Sequence, residues 1–337
     1  MTKYPFPKID LHFHLDGSIL PEVAWKLAKE RNIELPTETL DDFKQFIVST
    51  TDCKDIAEYL SRFNISTAIL QDEEALYETI YTTIEDVKDY LCYGEIRFAP
   101  QLHTRKHLSQ KEVIQAVIKG KKQAEKDFPS IKVGIILCCM IADYDNCKEN
   151  FETVRLFEEL YDNRHIVALD LAGQEDLVLM SHFAPLFVSP KEKGLPVTIH
   201  AGDNGTAENC SLAIDYGASR IGHGHKCFND KKVLQKVIDT KTALEICLSS
   251  NIQYKTQPSY SQHPAKQLLD AGVKVTLNTD CYILNNSTLL DEYDRAVNEA
   301  GFTYNDLITC NINSVAASFM PEEDKQKYLD ELKKYYK

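Results

Sequence analysis

Short apolar runs alternate along the chain with longer stretches in which apolar residues recur every third or fourth position. The short runs carry β-branched and aliphatic residues and predict strands. Eight are found, at Ile9–His12, Glu95–Ala99, Val133–Cys138, Val167–Leu171, Pro196–His200, Arg220–Gly222, Ala243–Leu248 and Lys274–Asn278. The longer stretches predict amphipathic helices, among them "LSQKEVIQAVIKGKKQAEKD" and "DKKVLQKVIDTKTA". Glu22–Arg31 reads as another helix, with Pro21 in its first turn, where a missing N–H is tolerated. This alternation puts the chain in the α/β class and points to a (β/α)8 barrel of the TIM type, although a doubly wound open sheet alternates in the same way. One segment breaks the rhythm. Residues 36–89 are mostly helical in pattern ("KDIAEYLSRFNISTAIL", "EEALYETIYTTIEDVKDYL") and are expected to form an insertion capping the C-terminal mouth of a single domain spanning residues 1–337.

Composition narrows the class without naming it. The chain has 337 residues, 26% charged and 43% hydrophobic, as an ordinary globular protein does. Its net charge of −13 argues against nucleic acid or an anionic membrane as the main partner. No apolar run approaches the roughly 20 residues of a membrane-spanning helix. The start, "MTKYPFPKIDLHFH", lacks the apolar core of a signal peptide, so a cytoplasmic location is expected. The ten cysteines are scattered, Cys138-Cys139 being the one close pair, and no C-x-x-C occurs; they read mostly as small buried hydrophobes.

The strand ends carry the chemistry. In a barrel the reacting groups sit at the C-terminal mouth, on the ends of several strands. The first strand ends on His12 and His14, and side chains two apart on a strand share a face. The fourth ends in "ALDLAG", with Asp170 and Gly173; the fifth in "IHAGD", with His200 and Asp203; the sixth in "RIGHG", with His223; the eighth in "LNTD", with Asp280. His12, His14, His200 and Asp280 can therefore reach one metal ion. Such ligands suit Zn²⁺ with a position left for water, and also iron, cobalt or manganese. Each residue alone has an ordinary explanation: a surface H-x-H pair, a core histidine, a helix-capping aspartate, glycines in tight turns (Gly202, Gly222, Gly224). Their joint placement at strand ends is harder to dismiss. No G-x-x-x-x-G-K or G-x-G-x-x-G loop is present.

In order and approximate spacing, "HFHLDGS", "LDLAGQE", "IHAGD", "RIGHG", "EICLSSN" and "LNTDC" resemble the adenosine deaminase-like amidohydrolases, and the likeness covers nearly the whole chain. The resemblance implies hydrolytic deamination of an adenosine-like purine nucleoside at C6 by a metal-activated water, with release of ammonia. It implies His12, His14, His200 and Asp280 as ligands of one divalent metal, zinc first, with Asp280 also accepting a hydrogen bond from the water. His223 would orient that water and help move its proton, and Asp203 would protonate ring N1. Gly173 would offer a backbone contact to N3, and Asp16 would face the ribose 5′-hydroxyl.

Two positions depart from the family pattern. Asp203 stands where glutamate is usual, shortening the reach by about 1.5 Å, and Cys281 replaces a second aspartate expected at N7. Both changes face the base, so a different or modified purine (adenine, or an N6- or 5′-modified nucleoside) and a non-catalytic purine binder remain alternatives. A dinuclear amidohydrolase is disfavoured, because "VALDLAG" offers no bridging lysine. The other zinc deaminase fold is disfavoured because H-x-E and P-C-x-x-C are absent.

Overall fold

A computed structural model describes residues 3–48, 56–141 and 147–336. The eight expected strands all form: β1 (Ile9–His14), β2 (Tyr93–Phe98), β3 (Lys132–Ile141), β4 (Ile166–Gly173), β5 (Thr198–Ala201), β6 (Arg220–His223), β7 (Ala243–Ile246) and β8 (Lys274–Leu277). They are parallel throughout, in two four-stranded sheets of order β1-β2-β3-β4 and β5-β6-β7-β8. Bridges Phe13↔Asp280 and Leu169↔Val197 join the sheets at both seams. The first seam carries two backbone hydrogen bonds, His14 N to Asp280 O (2.7 Å) and Asp280 N to His12 O (2.8 Å). The sheet therefore closes into the (β/α)8 barrel, and the open-sheet alternative falls away. The β7 run stops two residues earlier than its apolar pattern implied. Leu248 opens a helix, Leu248–Gln253, which turns the following polar residues over the mouth.

The helices start where local chemistry favours them. Ser109 caps Gln110–Asp127 in a capping box with Glu112. The Asp230 side chain accepts from Lys232 N and Val233 N at the head of Lys231–Thr240, satisfying donors that the first turn leaves free. Between β1 and β2 lie the helices Leu40–Ile47, Ile56–Ser61, Phe63–Ile69 and Glu73–Val87. Leu60, Phe63, Asn64 and Thr67 of this insertion share a cavity with the ends of β1–β4, so the insertion caps the mouth. Part of it, residues 49–55, lies outside the described residues. No described helix is long and apolar enough to cross a membrane. The nine described cysteines are all unpaired, and seven of them are buried.

The barrel interior holds charge as well as hydrocarbon. Arg97 on β2, Asp170 on β4, and Arg220, Glu245 and Glu95 on β6, β7 and β2 are all fully buried. Taking charges out of water is costly unless they are paired and hydrogen-bonded, and here they are. Arg97 Nη1 donates to Asp170 Oδ2 and Nη2 to Glu245 Oε2, both at 2.8 Å. Arg220 reaches Glu245 Oε1 (2.6 Å) and Glu95 Oε2 (2.5 Å).

Candidate active site

The closed barrel gathers the polar strand ends. The rings of His12 and His200 lie 4.6 Å apart, those of His14 and His200 5.3 Å, and those of His12 and His223 5.0 Å. His14 Nε2 sits 3.3 Å from His200 Nε2. Asp280 Oδ1 lies 3.4 Å from His14 Nε2 and 3.6 Å from His12 Nε2. His12 Nε2 is buried and has no hydrogen-bond partner. An unpartnered imidazole nitrogen, two further ring nitrogens facing each other and one carboxylate oxygen converge here, a donor set that suits a cation. The residues present fit a divalent ion with nitrogen and oxygen ligands.

Behind this cluster, carboxylates set the rings. Glu245 Oε2 accepts from His12 Nδ1 at 2.8 Å, and Asp170 lies 3.0 Å from His200 Nδ1. Each Nδ1 proton is thereby fixed and each Nε2 lone pair aimed at the centre, as outer carboxylates do for metal-binding histidines. Arg97 holds both of these carboxylates at once. Asp280 is steered in the same way: Oδ2 accepts from Ser250 Oγ (2.5 Å) and Tyr254 OH (3.0 Å), leaving Oδ1 for the centre. Burial pushes the Asp280 carboxyl up, but His12 and His14 outweigh it and hold the group well below the usual carboxylate range. Burial also lowers His12 and His14, keeping these rings neutral with free lone pairs.

Backbone strain marks the same place. His223 (φ +62°) and Asp280 (φ +63°) are in the left-handed region, which costs a non-glycine residue about 1–3 kcal/mol. Gly222 serves clearance and not a turn: a β-carbon there would stand 3.0 Å from His12 Cε1 and 3.2 Å from His200 Cα and Cγ. Gly202 and Gly224 do occupy left-handed turn positions.

The remaining candidates divide into two groups. Asp203 is buried with its Oδ1 accepting from Asn251 Nδ2 (2.7 Å) and Thr256 Oγ1 (2.8 Å), while Oδ2 lies 3.9 Å from His223 Nε2. Asp16 and Gly173 line a cavity of about 240 Å³ together with His14, Phe63 and Arg105. Asp16 Oδ1 is buried without a partner, and burial raises its carboxyl to about 7. Cys281 is not among the residues lining this cavity. Its Sγ packs where a β-carbon on Gly17 would stand and lies 3.5 Å from Asp280 Oδ1. Of the insertion's apolar residues Phe43, Phe46, Ile47 and Phe63, the cavity takes Phe63 alone; Phe43 and Ile47 belong to the core. Sequence reasoning missed Glu245, Ser250, Asn251, Tyr254 and His263. For Ser250, Asn251 and Tyr254 the available signal was polar residues directly following the apolar β7 run, in "LSSNIQY"; Glu245 lies inside that run and His263 beyond it.

This barrel, with imidazole and carboxylate side chains gathered at its mouth, is that of a metal-dependent hydrolase. The family model described as adenosine deaminase matches residues 7–335. The chain is 36% identical to an adenosine deaminase of Haemophilus ducreyi over 331 residues, covering 97% of this chain and 96% of that one. It also superposes on an N6-mAMP deaminase from arabidopsis (TM-score 0.83, 26% identity, 98% of both chains). An adenine deaminase from Arthrobacter aurescens shares the fold (TM-score 0.88, 24% identity, 98% of both chains). The chain belongs to the adenosine deaminase family and is a metal-dependent aminohydrolase that deaminates a purine.

Proposed function

We propose that His12, His14, His200 and Asp280 hold one zinc ion and that the enzyme converts an adenosine-like nucleoside and water to the 6-oxo nucleoside and ammonia. The observation that carries this reading is the buried, partnerless Nε2 of His12 facing the His14–His200 pair and Asp280 Oδ1. When bound, such an ion supplies Lewis acidity that brings the pKa of a water from 15.7 to about 7. The chain's own groups do the rest. Asp280 Oδ1 accepts a hydrogen bond from the attacking water and takes up its proton, while His223 orients that water as a donor through Nε2–H. As the C6–O bond forms, electron density moves onto ring N1, where Asp203 delivers a proton. Asp280 then returns that proton to the amino group, the C6–N bond breaks, ammonia leaves, and the proton of the C6 hydroxyl passes back to Asp203 as the 6-oxo group forms. Asp16 faces the ribose 5′-hydroxyl and the backbone of Gly173 meets N3, while the Cys281 thiol, packed on Gly17 and Asp280 and off the cavity, makes no N7 contact. One domain, residues 1–337, does this in the cytoplasm, with residues 36–89 as its cap.

A panel of adenosine, deoxyadenosine, adenine, N6-methyl and 5′-modified analogues, read by ammonia release, tests the reading. Adenosine and deoxyadenosine should be the best substrates; no ammonia from either would refute it. A second reading, a 5′-phosphorylated nucleoside, draws on Arg105, whose side chain lines the cavity and has no hydrogen bond or ion pair among the described residues. Preference for AMP over adenosine in the same panel would favour it.

Two substitutions probe the geometry. Gly222→Ala presses a methyl group onto His12, which Glu245 pins from behind, so it cannot yield. Zinc affinity should fall about tenfold or more, measured by chelator competition, with the fold retained; unchanged affinity would count against the ligand assignment. Asp203→Glu adds one methylene to an acid whose Oδ1 already has two fixed donors. A displacement of about 1 Å can cost a hundredfold, so kcat/KM on adenosine should fall about tenfold or more. A rise would mean that the short acid had been limiting.

A further inference from the structure

A chain of hydrogen bonds runs from the backbone of Ala265 to the reaction centre, and each link fixes the next. Ala265 N–H donates to His263 Nδ1 (3.1 Å), so the proton of that neutral ring is on Nε2. His263 Nε2 lies 3.0 Å from Asn251 Oδ1 and donates to it. The other end of the amide, Nδ2, donates to Asp203 Oδ1 at 2.7 Å. A carboxylate only accepts, so the amide cannot be turned round without placing two oxygens in contact. The same Nδ2 lies 3.1 Å from His223 Nδ1. A nitrogen that accepts there carries no proton, which leaves the His223 proton on Nε2, the atom 3.9 Å from Asp203 Oδ2. Asn251 is fully buried and His263 nearly so, and Thr256 N and Gln257 N both donate to Asn251 O at 3.0 Å, so the hub is held by its backbone as well.

We propose that Asn251, oriented by His263, is a positioning residue that sets the His223 tautomer and the direction of the Asp203 carboxyl together. The proposal rests on the roles of His223 and Asp203 in the deaminase reading. Both groups act on the same purine, one at the incoming water and one at N1. A single amide bonded to both keeps their separation constant through the reaction, as pre-organised sites require. It also accounts for an aspartate serving here. Oδ1 is tied down by Asn251 and Thr256, and Oδ2 is left as the one oxygen able to deliver a proton.

The test combines a ring-proton measurement with kinetics. In zinc-loaded protein carrying ¹⁵N-labelled histidine rings, the His223 signals, assigned as those missing from His223→Gln, should show a bare Nδ1 and a protonated Nε2. Asn251→Ala should lower kcat on the order of a hundredfold, with KM changed less than about threefold and zinc content preserved. His263→Gln keeps a donor where Nε2 lies and should retain kcat within about tenfold, whereas His263→Asn lacks that donor and should fall as far as Asn251→Ala. A His223 proton on Nδ1, kcat retained in Asn251→Ala, or equal losses in the two His263 variants would each overturn the proposal. Absence of purine turnover in the unsubstituted protein would instead sink the deaminase reading, and the ring-proton position would still decide the relay.

Discussion

His14→Ala is expected to lose bound zinc and ammonia release together, with the barrel intact. His14 is the last residue of β1, and its ring lies between the cavity and the cluster. Its Nε2 is within 3.3 Å of His200 and 3.4 Å of Asp280 Oδ1. Removing it takes away one of the four proposed ligands of an ion that catalytic sites commonly hold with three protein ligands and a water. No carboxylate stands behind His14 Nδ1 among the described residues, unlike Nδ1 of His12 and His200, so the loss should fall on the metal and not on folding. Elemental analysis of the purified variant and a far-ultraviolet circular dichroism spectrum separate the two. Zinc at unchanged stoichiometry with activity gone would remove His14 from the ligand set.

Arg97→Leu should destabilise the protein by about 3–5 kcal/mol, because it leaves buried Asp170 and Glu245 without their shared cation. Leucine has no way to answer either charge, and Arg97, Asp170 and Glu245 are all 0% exposed to bulk solvent. The effect should extend to the metal, since these two carboxylates orient His200 and His12. Arg97→Lys should be only a partial remedy, because one ammonium lacks the planar fork that bonds Glu245 and Asp170 at once. Urea unfolding of the zinc-free variants, followed by zinc titration, measures both effects. A loss below about 1 kcal/mol, the range of an exposed pair, would mean that the guanidinium does not hold the interior together.

How far the sequence reveals this molecule depends on whether an interaction is local. The strands were legible because each is a short apolar run, and the capped helices because Ser109 and Asp230 stand directly before theirs. Barrel closure was not, since it rests on Phe13 meeting Asp280 and Leu169 meeting Val197 across large sequence separations. The histidines and Asp280 stood out because polar residues ended apolar strands, and the fold brings them to one point. The groups behind them were hidden for the opposite reason. Glu245 lies inside the apolar β7 run, and Arg97 inside β2, where nothing local states that they share a bond. Cys281 shows the limit of motif spacing. Its position next to Asp280 is given by the chain, but the packing of its thiol on Gly17 depends on the β1 turn.

Anomalous diffraction from crystals of the purified enzyme, collected at the zinc edge, tests the central claim most directly. The account predicts a single peak within about 2.0–2.2 Å of the Nε2 atoms of His12, His14 and His200 and of an Asp280 carboxylate oxygen. A peak at any other set of residues, or two peaks at the barrel mouth, would contradict it.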